Sequence, residues 1–160
     1  MKEVKIETKL KVYDGMSELP INVQELMESA ILARDNAYAP YSKFKVGAAI
    51  LLDNNEIIIG SNQENASYPS GLCAERTAIY YAGAKYPTNN ILKMAITASS
   101  QNQVTDKPIP PCGACRQTIA EYEIKQNQSI SLYFMGAKGK IVESDSLANL
   151  LPLLFDNSVL

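Results

Sequence analysis

Asn62-Gln-Glu-Asn-Ala-Ser-Tyr-Pro-Ser-Gly-Leu-Cys-Ala-Glu-Arg76 is the stretch around which the rest of the chain is organised. Its first ten residues are polar and carry Pro69 and Gly71, so they read as a loop. Cys73-Ala-Glu-Arg then opens a helix expected to run to about Ala84 and to stop before Pro87. Cys73 and Glu75 are answered downstream by Pro111-Cys-Gly-Ala-Cys115, where a further helix is expected from about Cys112 to Tyr122. Both cysteine clusters therefore fall at helix N-termini, where free backbone N–H groups and the macrodipole favour thiolates.

Outward from this centre the chain alternates strands and helices. Val46–Leu52 and Glu56–Gly60 flank Asp53-Asn-Asn55 as a hairpin, Ile91–Ala98 is a buried strand, and Ser129–Met135 and Lys140–Glu143 complete the series. An earlier helix carries Val23, Leu26, Met27, Ala30 and Ile31 on one stripe. Asn22 and Glu25 have the spacing of a capping box at its start, and it should end before Pro40. A last helix is expected from Ser146 to Leu151. Helices on both faces of one mixed sheet give an α/β domain of three layers, α/β/α. Residues 1–19 stand apart as an N-terminal extension, and residues 20–160 form the main domain. In the extension Val4, Ile6, Thr8, Leu10 and Val12 share one face and Lys5, Glu7, Lys9 and Lys11 the other, the pattern of an added edge strand or an oligomer contact.

Composition narrows the function. A 160-residue chain with 46% hydrophobic and 20% charged residues suits one globular domain. The net charge is −2 and there is no long basic run, so a polynucleotide is not the expected partner. No apolar stretch approaches a membrane span and no signal-peptide core is visible, which makes a cytoplasmic location the expectation. Three cysteines make a poor disulfide framework, and the absence of histidine removes Ser-His and Cys-His pairs and every His-containing metal site.

Three thiolates from Cys73, Cys112 and Cys115 can hold Zn²⁺ and leave its fourth position for water. A structural site would close that position, and the chain has no fourth Cys or His to do so. Glu75, in the first turn of the Cys73 helix, is within reach of such a water. Taken singly, the Cys-x-x-Cys could be a redox pair, Cys73 a core cysteine and Glu75 a partner of the helix dipole. Together, Cys-x-Glu and a later Pro-Cys-x-x-Cys are much harder to obtain by chance.

Longer motifs extend the pattern. Ala39-Pro-Tyr-Ser-Lys-Phe-Lys-Val-Gly-Ala48, Asn62-Gln-Glu-Asn-Ala66, Cys73-Ala-Glu-Arg-Thr-Ala78 and Pro111-Cys-Gly-Ala-Cys-Arg-Gln117 resemble the cytidine deaminases, in order and spacing, from about Val23 to Phe155. The resemblance implies the cytidine deaminase-like fold with a mixed five-stranded sheet. It also implies one zinc per subunit on the three cysteines, with Glu75 as proton shuttle. Phe44 would face the pyrimidine, Asn62 and Glu64 the ribose hydroxyls, and the Ala74 N–H the ring carbonyl. Pro110 replaces the usual serine but keeps the carbonyl that would meet the amino group. Arg76 would donate to the cysteine sulfurs. Tyr68 and Phe155 match positions near a neighbouring subunit's pocket, and the short three-cysteine chain resembles the homotetrameric branch.

The implied reaction is deamination of cytidine and 2′-deoxycytidine in pyrimidine salvage, on a small nucleoside and without nucleic acid or membrane. A deaminase of another aminated nucleoside analogue, or a zinc module without catalysis, are the alternatives. Phe44 alone would read as a core residue, Asn62 and Glu64 as a solvated loop pair, and Arg76 as a surface arginine.

Overall fold

The computed structural model describes residues 1–159. Nine regular elements follow the sequence: β1 (Lys11–Tyr13), α1 (Ile21–Asp35), β2 (Phe44–Leu52), β3 (Ile57–Ser61), α2 (Ala74–Lys85), β4 (Ile91–Ser100), α3 (Gly113–Gln126), β5 (Ser131–Met135) and β6 (Ile141–Ser144). The strands lie in the order β1-β6-β5-β4-β2-β3. Among the strands of the described residues, β4 and β5 alone run parallel, and α3 connects them. The other neighbouring pairs are antiparallel.

Alternation along β2 and β4 sends side chains to two different cores. Ala48, Ile50 and Ile96 face α2 and α3, where they pack with Ile79, Ile119 and Leu132. Ala49 and Ala95 face the opposite way, onto Val23, Leu26, Met27 and Ala30 of α1. The layers are therefore α1, the sheet, and α2 with α3. Small residues let the helices approach closely. A Cβ on Gly47 would lie 2.0 Å from the Ala30 carbonyl oxygen, and one on Gly60 would lie 2.6 Å from the Ala78 nitrogen. Gly60 thus seats α2, the helix that follows Cys73, directly on β3.

The structure differs from the sequence expectation in four places. The sheet has six strands rather than five, because the short β1 pairs antiparallel with β6 at its edge. Residues 1–10 form no strand although they alternate, since no neighbouring strand accepts their backbone groups. Asn22 and Glu25 form no capping box: α1 begins at Ile21 after Pro20, and no side chain caps it. The last helix shrinks to a single 3-10 turn at Leu147–Asn149, capped by the Ser146 hydroxyl.

The β1–β6 seam is held by a buried acid. Glu143 is 6% exposed. It accepts from Tyr13 Oη, from Lys11 Nζ at 3.0 Å and from Tyr133 Oη at 3.2 Å. Three donors offset the cost of removing this carboxylate from water.

Candidate active site

Cys73 is the residue that caps α2, and Cys112 holds the same position on α3. Both have extended backbone angles, and each stands at the start of a helix whose first N–H groups lack partners within it. Cys115 sits one turn into α3 and is fully buried. The Cys73 and Cys112 sulfurs are 3.9 Å apart, those of Cys112 and Cys115 are 3.5 Å apart, and all three lie within 4.8 Å of one another. Disulfide sulfurs lie only about 2 Å apart. Tetrahedral ligation with bonds of about 2.3 Å puts sulfurs about 3.8 Å apart, and the observed spacings fit zinc.

Charge at the cluster is shared unevenly among the thiols. A hydrogen bond from Cys115 and the nearby Arg76 guanidinium together push Cys73 down to about 5, against the effect of burial. Cys115, which keeps the shared proton and is itself buried, is pushed up. Arg76 Nη2 lies 3.7 Å from Cys73 Sγ. Helix geometry brings these two together, because positions three apart lie on one face.

Glu75 is 4% exposed, and burial pushes its carboxyl up to about 7, with the Cys73 charge adding to the effect. It faces a cavity of about 860 Å³ that Cys73, Cys112 and Arg76 also line. A carboxyl in this condition can accept and release a proton near neutral pH.

Apolar side chains of Phe44, Val46, Ile96 and Ile109 line the same cavity. Phe44 is only partly buried, so its ring is available to a ligand. Asn62 is nearly buried and clasps β2: its Nδ2 donates to the Phe44 carbonyl at 2.9 Å, and its Oδ1 accepts from Val46 N–H at 2.8 Å. Glu64 accepts from the Tyr41 N–H at 2.9 Å, the Ser42 N–H at 3.2 Å and the Ser42 hydroxyl. Desolvation pushes the Glu64 carboxyl up, but these donors outweigh it and hold the group below its ordinary value.

Pro110 and Tyr68 lie on the cavity wall, and Tyr68 is almost wholly exposed. Ala74 is buried as the first residue of α2, where its N–H has no partner within the helix. Phe155 lies outside the cavity lining of its own chain. Its ring is exposed, and its carbonyl accepts from Gln117. Nothing in the sequence signalled the contacts that Tyr41 and Ser42 make to Glu64, although both residues stand in the Ala39–Ala48 motif.

A family model for the cytidine and deoxycytidylate deaminase zinc-binding region matches residues 20–130. The chain belongs to this family of deaminases. Among curated deaminases, the cytidine deaminase of Sporosarcina psychrophila is 41% identical over 135 residues, covering 84% of this chain and 92% of the relative. That of Halalkalibacterium halodurans is 47% identical over 98 residues, covering 61% and 70%. A crystal structure of cytidine deaminase from Burkholderia pseudomallei aligns with a TM-score of 0.72 at 35% identity, covering 86% of this chain and all of that one. The deaminase fold and the cysteine cluster thus coincide in one chain.

Proposed function

We propose that this chain catalyses hydrolytic deamination of cytidine and 2′-deoxycytidine to uridine and 2′-deoxyuridine, with release of ammonia, as a step of pyrimidine salvage. The observation that carries the reading is the position of Glu75. It is a buried carboxyl beside three clustered thiols, facing a cavity with ample room for a nucleoside. A zinc-binding module without catalysis has no use for a desolvated acid there.

Cys73, Cys112 and Cys115 would hold one zinc ion per subunit, and its Lewis acidity would activate the attacking water. Glu75 accepts a proton from that water as the oxygen adds to C4 of the pyrimidine, and delivers it to N3. It then carries the second water proton to the amino group. The C4–N bond breaks, the C4 carbonyl forms, and ammonia leaves with Glu75 in its starting state. Phe44 stacks on the ring, the Ala74 N–H meets the ring carbonyl and the Pro110 carbonyl meets the amino group. Asn62 and Glu64 receive the ribose hydroxyls, and Arg76 draws electron density from the sulfurs. The excess of acidic groups and the lack of a long basic run support a free nucleoside over a nucleic acid.

The reading includes a homotetramer whose pockets are shared, in which the exposed Phe155 and Tyr68 rings would be covered by neighbouring subunits. Among the described residues no helix is long and apolar enough to cross a membrane, and a cytoplasmic location belongs to the same proposal. The direct test is metal content measured together with the loss of cytidine absorbance on adding the purified protein. Zinc without turnover of any aminated nucleoside would refute the reading.

A further inference from the structure

The N-terminal arm is the largest feature that the active site leaves unexplained. Residues 1–12 are exposed, except for the backbone pairing that begins at Lys11, and they include Val4, Ile6, Leu10 and Val12. Among the described residues, the hydrogen bond to the body nearest the N-terminus is from the Lys9 N–H to Asn149 Oδ1, at 3.3 Å. The arm leads directly into β1, which is the edge of the sheet. A chain with strict alternation and free backbone groups next to a sheet edge is a template for strand pairing.

Its charges select the partner. When two copies of the arm run antiparallel with Ile6 opposite Ile6, Lys5 faces Glu7 and Glu3 faces Lys9, each pair occurring twice by symmetry. On the other face Val4 lies opposite Thr8, and the two Ile6 side chains meet. Moving the register two residues in one direction sets Lys5 against Lys5 and Glu3 against Glu7. Moving it two in the other sets Glu7 against Glu7 and Lys5 against Lys9. A parallel, in-register pair sets every charge against its own kind. Directly opposed unlike charges favour a strand pair and like charges oppose it.

We propose that residues 2–10 form a two-stranded antiparallel ribbon with the same residues of a second copy, centred on Ile6. At ~3.4 Å per residue the two Lys11 residues lie about 34 Å apart, at opposite ends of the ribbon, so the two bodies do not collide. An isolated ribbon is marginal in water, but this one is anchored at each end by a β1 already joined to β6. In the single chain Lys5 and Glu7 contact each other, and on pairing each exchanges that neighbour for the partner copy's.

Cysteine cross-linking of the full chain tests the register. With the unsubstituted chain as blank, Ile6→Cys should convert to a disulfide-linked pair under mild oxidation, whereas Leu10→Cys, whose copies lie far apart in the ribbon, should not. In the Ile6→Cys background, Lys5→Glu or Glu7→Lys alone should suppress the cross-link. The double exchange, or a mixture of the two single variants, should restore it. Equal cross-linking at positions 6 and 10, no cross-link at position 6, or rates indifferent to the charge exchanges would each overturn the proposal.

Discussion

The Arg76 guanidinium stands 3.7 Å from the Cys73 sulfur, one helical turn away on α2. Its own Nε is buried without a partner among the described residues, so the group is held at the cluster despite a desolvation cost. Three thiolates around a dication leave a net negative charge, and each helix N-terminus offsets only about half a unit. Arg76→Gln should therefore lower turnover at neutral pH and move the rising limb of the kcat–pH profile to higher pH, with zinc retained. An unchanged profile in the zinc-loaded variant would exclude Arg76 as the compensating charge.

Glu75→Gln should keep the fold and the metal yet lose roughly 10²–10⁴-fold in kcat, the usual share of general acid–base catalysis. Loss of zinc would instead make Glu75 a ligand. The same variant carries a stability signature in chelator-treated protein. Burial raises the wild-type carboxyl from 4.5 to about 7, so folding favours its protonated form. The resulting penalty is absent below pH 4.5, grows as the pH rises, and is complete above 7. Glutamine avoids it, and at pH 8 the variant should be the more stable by up to about 3 kcal/mol. Denaturant unfolding at pH 5 and pH 8 gives the comparison.

Asn62 and Glu64 should separate in their effects. Glu64→Ala should reduce kcat/KM for cytidine and leave the poor reaction with free cytosine nearly unchanged, because ribose binding energy serves the reacting centre. Asn62→Ala should do this and also cost about 1–3 kcal/mol of stability, since the N–H of Val46 and the carbonyl of Phe44 lose their partner. Chemical unfolding alongside steady-state kinetics on both substrates distinguishes them. Equal use of cytosine and cytidine by the wild type would remove the ribose assignment.

Glu143→Leu should destabilise the protein by about 1–3 kcal/mol while leaving the kinetics of the folded enzyme intact. The substitution strands the buried Tyr133 hydroxyl and removes the side-chain contacts of Lys11 and Tyr13 to β6, and none of these residues lines the cavity beside the cysteines. A kinetic defect in fully folded variant would show that the β1 seam reaches the active site.

Much of this protein follows from the chain alone, and the reason is local. Cysteine placement at two helix starts, Pro40 and Pro87 as helix limits, and the apolar runs of β2, β4 and β5 are set by neighbours within a few residues. The three-layer α/β/α arrangement and the potential ligand set were legible for that reason, and the deaminase-like fold through the resemblance of the longer motifs. Other features depended on partners remote in sequence. Residues 2–10 alternate as a strand should, yet only Lys11–Tyr13 find β6, because a strand exists only where another accepts its hydrogen bonds. Asn22 had the spacing of a cap, but Pro20 had already begun the helix. Asn62 read as a loop residue facing a ligand, and only the tertiary structure shows that its amide also clasps β2, sixteen to eighteen residues back along the chain. Sequence could name the residues of Glu75's proton chemistry, but only the folded chain removes that carboxyl from water, because burial is a property of everything packed around it.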